Sequence, residues 1–300
     1  MTKIGLALGG GGARGSYQIG VLRALEEAGI LKNIQHISGT SIGAINTLMV
    51  MAKLSHERMI EIWEMINNAE IYGHKLERIK FDRLGLFSIQ EMYQKLSEQV
   101  SLKEIRDSKV QGYVTASKIK KGSMVDQVLL HRMEKEVFHL NEIDDPHKAV
   151  LASASIPVLF GSTEVGEDYY VDGGTKDNCP INTLIDQGCD IIIAVPIDSR
   201  FHVKKYEYED ILLINMEAKK LFSVTMIDIL DFKPEEVKHK AQYGYLMGKK
   251  MIEKLKEEKL FDGTSWMRPQ GFHHIVLSKE EELVVKDEVT LWSSNSRSLS

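Results

Sequence analysis

The chain has 300 residues, of which 43% are hydrophobic and 27% are charged. This balance excludes a largely disordered protein and fits a globular one that can bury most of its apolar surface. The 38 basic and 43 acidic side chains leave a net charge of −5. No basic excess therefore points to nucleic acid as a partner.

Several features of the sequence bear on the cellular compartment. Cys179 and Cys189 are the two cysteines, too few for a disulfide or zinc framework, which makes a reducing compartment the expectation. No apolar run approaches the roughly 18–20 residues of a membrane span. The apolar stretch at residues 4–8 is too short for a signal peptide. We therefore expect a cytoplasmic protein.

The chain is expected to form one domain over residues 1–292, because no repeat and no Pro- or Gly-rich linker divides it. Residues 293–300 form a serine-rich tail, for which we predict disorder. The apolar segment Leu221 to Phe232 has two interpretations, core or a lid that meets acyl chains or a membrane surface, and core is favoured.

Strands and helices alternate in the first part of the chain. A buried strand is predicted over residues 3–8 and a helix over 15–28, with four glycines between them. A second strand is predicted over 33–38 and a helix over 41–53. This alternation is typical of an α/β fold with a mostly parallel sheet covered by helices.

Later segments fit the same architecture. Further strands are predicted over residues 110–119, 124–131, 169–171, 191–195 and 211–214. The two last runs are unbroken and apolar, as in interior strands of a parallel sheet. Pro146 opens a predicted helix that ends before Pro157, and a long helix is predicted from Glu235 to about Lys256.

One serine lies between a predicted strand and a predicted helix. Ser41 is flanked by Gly39 and Gly43 in a Gly-x-Ser-x-Gly sequence. Such glycines let the backbone turn sharply, so that a nucleophilic hydroxyl is exposed beside the positive end of the helix. A simpler alternative is a serine that only caps a helix in a glycine turn. The strand before it and the helix after it favour the nucleophile.

Residues 9–15 form a glycine-rich loop with the sequence GGGGARG. Such a loop before a helix offers backbone N–H groups to an anion. A dinucleotide fingerprint would use Gly10, Gly12 and Gly15, but it needs an acidic residue at the end of the next strand, which is missing. A phosphate loop would need a Lys-Ser/Thr pair, also missing. The remaining interpretation is an oxyanion hole beside Ser41.

A carboxylate is the candidate base. Asp172 ends a predicted strand and precedes Gly173 and Gly174. At the C-terminal end of a strand, on the same sheet edge as Ser41, it could take the proton of the serine hydroxyl. A carboxylate needs a partly dry site to be basic enough for this. Taken alone, Asp-Gly-Gly is more typical of a turn.

A triad with histidine is the rival mechanism. The histidines that follow Asp172 in the chain are His202, His239, His273 and His274. In α/β-hydrolases the serine usually follows several strands, whereas Ser41 follows the second, and this placement disfavours the rival.

Together, the glycine loop, the Gly-x-Ser-x-Gly turn and the Asp-Gly-Gly sequence resemble the patatin-like phospholipases, in that order, over residues 4–200. Residues 152–157, followed by Phe160, are similar to a further block of that family. The resemblance implies a three-layer α/β/α fold and a serine lipid acyl hydrolase without histidine. It implies that Ser41 is the nucleophile and Asp172 the general base.

The resemblance also implies roles for the glycine loop. The amides of Gly10, Gly11 and Gly12 would form the oxyanion hole, with Arg14 supporting the loop. The motif glycines are Gly15, Gly39, Gly43, Gly173 and Gly174. No metal or organic cofactor is implied. The expected partner is a lipid ester or phospholipid, with peripheral membrane contact, and the oligomeric state is open.

Two other functions stay open on the sequence. One is a nucleotide-binding α/β protein that uses residues 9–15 as a phosphate cradle. The other is a non-catalytic lipid-binding regulator on the same fold.

Overall fold

A computed structural model describes residues 2–65, 90–120, 127, 129–157, 161–198, 201–221 and 233–297. Several sequence predictions fall partly or wholly outside these residues. Among them are Phe160 of the family block, most of the strand predicted over 124–131, residues 222–232 of the apolar segment, and residues 298–300 of the tail.

Strands and helices alternate through most of the described chain. The strands are β1 (Ile4–Leu8), β2 (His36–Thr40), β3 (Gln111–Ile119), β4 (Glu134–His139), β5 (Thr163–Val165), β6 (Asp168–Asp172), β7 (Ile191–Val195), β8 (Leu212–Asn215) and β9 (His273–Val276). The helices are α1 (Gly15–Glu27), α2 (Ile42–Met51), α3 (His56–Met65), α4 (Gln90–Gln99), α5 (Leu102–Arg106), α6 (Pro146–Ala154), α7 (Ile181–Asp186), α8 (Pro234–Glu257) and α9 (Lys279–Arg297). The strand–helix units predicted at the start of the chain are confirmed.

The described strands form one mixed sheet, in the order β5-β6-β3-β2-β1-β7-β8-β9, with β4 also paired to β3. From β3 across to β9 every neighbouring pair is parallel. The three remaining strands, β4, β5 and β6, pair antiparallel. The prediction of an α/β fold with a mostly parallel sheet is therefore confirmed.

Side chains of the central strands alternate between two layers of core. Leu6 and Ile193 belong to the larger cluster, together with Leu22 of α1. Ala7 and Ala194 point to the opposite face and pack in a second cluster that includes Leu184 of α7. Because successive side chains of a strand face opposite ways, the long apolar runs of β1 and β7 fill both layers. Helices thus cover the sheet on two sides, as the three-layer arrangement requires.

The antiparallel neighbour of β3 differs from the prediction. Residues 124–131 are expected to pair with β3; among the described residues the antiparallel partners of β3 are β6 and β4, and His139 of β4 lies opposite Tyr113. Leu130–Arg132 forms a single turn of 3₁₀ helix instead. The strand β4 begins with exposed charged residues, so its sequence lacks the apolar run by which a strand is recognised.

The C-terminal helix α9 runs to Arg297 and thus reaches five residues into the segment for which disorder is predicted. Across the described ranges, no helix combines the length and the apolarity that crossing a bilayer would need.

Strands β2 and β6 meet end to end beside β3. The last residue of β2, Thr40, pairs with Thr115, and the last residue of β6, Asp172, pairs with the next residue, Ala116. Since β4 covers the other edge of β3 at these positions, β2 and β6 must share one edge and approach each other from opposite directions. The residues that follow β2 and end β6 are thereby brought together, although β6 is antiparallel rather than parallel.

Candidate active site

Ser41 lies at a sharp turn between β2 and α2. Its backbone has φ 56° and ψ −125°, a left-handed conformation that non-glycine residues adopt only under constraint. Gly43 permits the turn, because a Cβ there would lie 2.1 Å from the carbonyl oxygen of Leu8. A Cβ on Gly39 would lie 2.4 Å from the carbonyl oxygen of Gly43. The spacing of the two glycines thus reflects close packing of backbone on backbone, and it holds the serine at the N-terminus of α2.

The side chains of Ser41 and Asp172 are in contact. The Asp172 carboxylate lies close enough to the Ser41 side chain for that side chain to lower the carboxylate's pKa. The carboxylate also accepts a hydrogen bond of 2.7 Å from the amide of Gly174, which fixes its orientation. Ser41 is 7% exposed and Asp172 is 8% exposed, so the pair is largely shielded from water. The structure thus brings together the two residues for which the sequence predicts the roles of nucleophile and base.

Burial determines the proton affinity of Asp172. Loss of solvation raises the pKa of the carboxyl group to about 6, while the hydrogen bonds from Ser41 and Gly174 act in the opposite direction. A carboxylate with this pKa is still ionised at neutral pH but is a stronger base than an exposed one. The partly dry environment that a carboxylate base needs is therefore present.

None of the histidines proposed for a triad is among the groups that shift the pKa of Asp172. His273 and His274 belong to β9 at the far edge of the sheet, four strands from β2. His239 lies within α8, and His202 lines a cleft beside the segment after β7. Both hydrogen bonds that shift the pKa of Asp172 come from other residues, Ser41 and Gly174.

The glycine loop packs directly against Ser41. A Cβ on Gly10 would lie 3.0 Å from the Cβ of Ser41 and 2.5 Å from Oδ1 of Asn178, so the loop approaches both residues closely. The amide of Gly10 donates a hydrogen bond of 2.9 Å to the carbonyl oxygen of Asn178 and is therefore already used. The amides of Gly11 and Gly12 donate to no other residue in the described part of the chain. They are two donors that the loop leaves available for an oxyanion.

Arg14 ties the loop to the segment that follows β7. Its side chain is 3% exposed, and Nη1 donates a hydrogen bond of 3.3 Å to the carbonyl oxygen of Ile197. A Cβ on Gly11 would lie 2.9 Å from the side chain of Ile197, so the loop and this segment pack closely. The contacts fit the supporting role expected for Arg14.

Three further motif glycines allow close approaches. A Cβ on Gly173 would lie 2.0 Å from the carbonyl oxygen of Thr115, and one on Gly174 would lie 2.9 Å from Oδ1 of Asp172. A Cβ on Gly15 would lie 2.8 Å from the ring of Trp63.

Side chains that the sequence did not single out hold this arrangement. The hydroxyl of Ser153 accepts a hydrogen bond of 2.9 Å from the Ser41 amide and donates one of 2.6 Å to the carbonyl oxygen of Thr115. Its place in the family block at residues 152–157 was the available signal. Gln18 of α1 donates to the carbonyl oxygens of Gly9 and Val195, at 2.8 and 3.1 Å. No sequence pattern indicated Gln18, because polar residues within helices are common.

A cleft of about 260 Å³ opens beside the turn that follows Asp172. It is lined by Gly174, Lys176, Asp177, Asn178, Cys179, Pro196, Asp198, Phe201, His202 and Lys205. Within the described ranges, no three His, Cys, Asp or Glu side chains are grouped so that they could hold a metal ion.

A comparison of the sequence with models of protein families identifies one family. A family model described as patatin-like phospholipase matches residues 6–185, which contain the glycine loop, Ser41 and Asp172. The chain belongs to the patatin-like phospholipase family.

Individual relatives match a similar part of the chain. Lysophospholipase NTE1 of Saccharomyces cerevisiae is 26% identical over 226 residues, which cover 70% of this chain and 12% of that protein. A probable lipid hydrolase, 463L of Invertebrate iridescent virus 6, is 28% identical over 184 residues, which cover 60% of this chain and 62% of that protein. The chain thus spans a small fraction of the fungal relatives.

Among solved structures, VipD from Legionella pneumophila aligns with 84% of this chain and 67% of its own. The sequence identity is 15% and the TM-score is 0.47.

Proposed function

We propose that this protein is a serine lipid acyl hydrolase of the phospholipase, lysophospholipase or carboxylesterase type. Ser41 is the nucleophile, Asp172 is the general base, and the amides of Gly11 and Gly12 stabilise the oxyanion. The observation that carries the proposal is the approach of the Ser41 side chain to a buried carboxylate, Asp172, whose pKa is raised to about 6.

In the first half of the reaction, the Ser41 hydroxyl attacks the ester carbonyl while Asp172 takes its proton. Negative charge develops on the carbonyl oxygen, and the amides of Gly11 and Gly12 donate hydrogen bonds to it. The C–O bond to the leaving alcohol then breaks, and Asp172 returns the proton to the departing oxygen. The products of this half are the free alcohol or lysolipid and an acyl ester of Ser41.

In the second half, water attacks the acyl ester with Asp172 again acting as base. The tetrahedral intermediate collapses, the fatty acid leaves, and the proton returns to Ser41 through the same carboxyl group. In this scheme each proton moves between oxygen atoms by way of the Asp172 carboxyl group, which lies beside the Ser41 side chain. A histidine is not required for either half.

The relatives guide the choice of substrate. Those from fungi are named lysophospholipases, so a lysophospholipid is the first physiological ester to test. Such lipids are presented in micelles or membranes, and we propose that the protein meets its substrate at such a surface. The two cysteines, Cys179 and Cys189, are buried free thiols, which supports a cytoplasmic location. We further propose one catalytic domain over residues 1–292.

A labelling experiment and an activity measurement test the proposal together. A fluorophosphonate is expected to modify Ser41 of the wild-type protein and to leave Ser41→Ala unlabelled, because only an activated serine reacts. Ser41→Ala and Asp172→Ala are both expected to lose hydrolysis of a p-nitrophenyl ester and of a lysophospholipid while keeping a cooperative thermal transition. Full activity of either variant would contradict the proposal. Lipid binding without labelling would instead favour a non-catalytic regulator.

A further inference from the structure

Asn178 lies where three segments of the site meet, namely the glycine loop, the turn after Asp172 and the segment after β7. Its backbone carbonyl oxygen accepts a hydrogen bond of 2.9 Å from the amide of Gly10. Its side-chain nitrogen, Nδ2, donates to the carbonyl oxygen of Gly10 and to Oδ2 of Asp198, both at 3.1 Å. Both polar groups of Gly10 are therefore bound to the same residue.

The hydrogen bond to the carbonyl oxygen of Gly10 also constrains the next amide. The carbonyl of Gly10 and the N–H of Gly11 belong to one peptide unit, which is planar and trans, since the described chain has no cis peptide bond. In such a unit the C=O and N–H point in opposite directions. When Asn178 fixes the carbonyl on one side, the N–H of Gly11 is directed to the other side. A carbonyl that accepts a hydrogen bond also polarises its peptide unit and makes the N–H a better donor.

Asp198 determines which way the side-chain amide of Asn178 faces. A carboxylate only accepts hydrogen bonds, so Nδ2 is held toward it and Oδ1 is turned away. Oδ1 of Asn178 then lies 2.6 Å from the position that a Cβ on Gly174 would take. Oδ1 of Asp172 lies 2.9 Å from that same position. The same Oδ1 lies 2.5 Å from the position that a Cβ on Gly10 would take, so the side-chain amide lies between the base-bearing turn and the glycine loop.

We infer that Asn178, oriented by Asp198, is a positioning residue that aims the Gly11 amide at the developing oxyanion and keeps the glycine loop in register with the turn that carries the base. This inference rests on the proposed function, because it assigns a task within that reaction. Asn178 itself touches neither the substrate carbonyl nor the Ser41 hydroxyl in this assignment.

The main test is Asn178→Ala, which removes the side-chain bonds but keeps the backbone bond to Gly10. Removing an oxyanion donor outright typically costs a hundredfold to a thousandfold in kcat, so misdirecting one is expected to cost about tenfold to a hundredfold. KM should stay within about twofold, because the donor acts on the transition state rather than on the bound ester. A kcat equal to that of the wild type would overturn the inference.

Asn141→Ala is the matched control for a structural effect. Asn141 also joins segments through its side chain, accepting a hydrogen bond from the amide of Gly112 and donating to the carbonyl oxygen of Val110. Its contacts lie at the beginning of β3, away from the glycine loop. Asn141→Ala is expected to lower the Tm and to keep kcat when assayed well below that Tm. Equal losses of kcat in the two alanine variants would mean that Asn178 is only a structural residue.

Two further variants keep the inference testable if Asn178→Ala does not fold. Asp198→Asn leaves the amide of Asn178 free to turn over, so kcat should fall, and combining it with Asn178→Ala should add little further loss. Losses that multiply in the double variant would contradict the coupling. Asn178→Asp places a second carboxylate beside Asp172, which should move the acid limb of kcat/KM to higher pH. If the acid limb of kcat/KM does not move, residue 178 does not lie near Asp172, which would contradict the inference. Activity of the wild-type protein in the same assays tests the proposed function separately.

Discussion

The Ser41 side chain lies close enough to the Asp172 carboxylate to lower its pKa, against the effect of burial. In the proposed mechanism a proton passes between these two groups without an intervening imidazole. The arrangement requires a base whose affinity for protons is raised, and burial raises the pKa of Asp172 to about 6. Consequences for pH dependence and for stability follow from this pair.

The pH dependence of hydrolysis should report the ionisation of Asp172. The base must be deprotonated to act, so kcat/KM is expected to rise with pH along a single limb centred near 6 and to level off above about 7. Initial rates on a p-nitrophenyl ester between pH 4.5 and 8.5 would measure it. A limb near 4, the value of an exposed aspartate, would show that the carboxylate is solvated in the working enzyme.

Asp172 should reduce the stability of the protein at neutral pH. Its pKa is higher in the folded state than in the unfolded chain, so the free energy of unfolding falls as pH rises from about 4 to about 6 and stays lower above that range. We expect Asp172→Asn to be more stable than the wild type by roughly 2–3 kcal/mol at pH 8, and by much less at pH 4. Urea unfolding at the two pH values would measure both differences.

Asp262 provides the contrasting case. Hydrogen bonds from the amides of Ser265 and Thr264 lower the pKa of its exposed carboxyl group. Asp262→Asn should therefore lower the stability at pH 8 rather than raise it. A gain in both aspartate variants would point to a general effect of net charge and not to burial of Asp172.

Ser153 should matter for the rate as well as for stability. Ser153→Ala removes the partner of the Ser41 amide and is expected to cost about 2 kcal/mol of stability and roughly tenfold in kcat, because the strained turn loses its support. Ser155→Ala is the matched control, since that hydroxyl bonds to the Leu151 carbonyl and to Thr163 instead. It should lose similar stability and keep its kcat. Thermal unfolding and steady-state kinetics on both variants would separate the two effects.

Gly43 should tolerate no side chain. Gly43→Ala places a Cβ 2.1 Å from the Leu8 carbonyl oxygen, and backbone cannot move away cheaply, so we expect a loss of about 3 kcal/mol and of activity. Gly166→Ala serves as the comparison, because its surroundings are open and only its φ of 62° opposes a side chain. The cost there should be about 1 kcal/mol with full activity. Equal unfolding midpoints for the two variants would refute the packing argument.

Short-range patterns explain why Ser41 and Asp172 could be selected from the sequence as candidates. Ser41 follows a strand and Asp172 ends one, both lie among glycines, and these signals are contained within a few neighbouring residues. By contrast, the Gly10 amide donates a hydrogen bond to the backbone carbonyl of Asn178, which is far away in the chain. A backbone acceptor has no sequence signature, so this bond could not be predicted. The role of Gln18 and the pairing of β4 could not be predicted either. The first residues of β4 are exposed and charged, so the strand shows no hydrophobic periodicity.

Because β2 and β6 approach each other end to end along one edge of β3, their pairing with β3 determines the distance between Ser41 and Asp172. The last residue of β2 pairs with Thr115 and the last residue of β6 pairs with Ala116, so adjacent residues of β3 fix the positions of the two strand ends. A slip of β6 by one position would turn its terminal carboxylate to the reverse side of the sheet, away from the hydroxyl. Insertions in the connections between strands should therefore leave hydrolysis intact, whereas an insertion in the middle of β3 should abolish it.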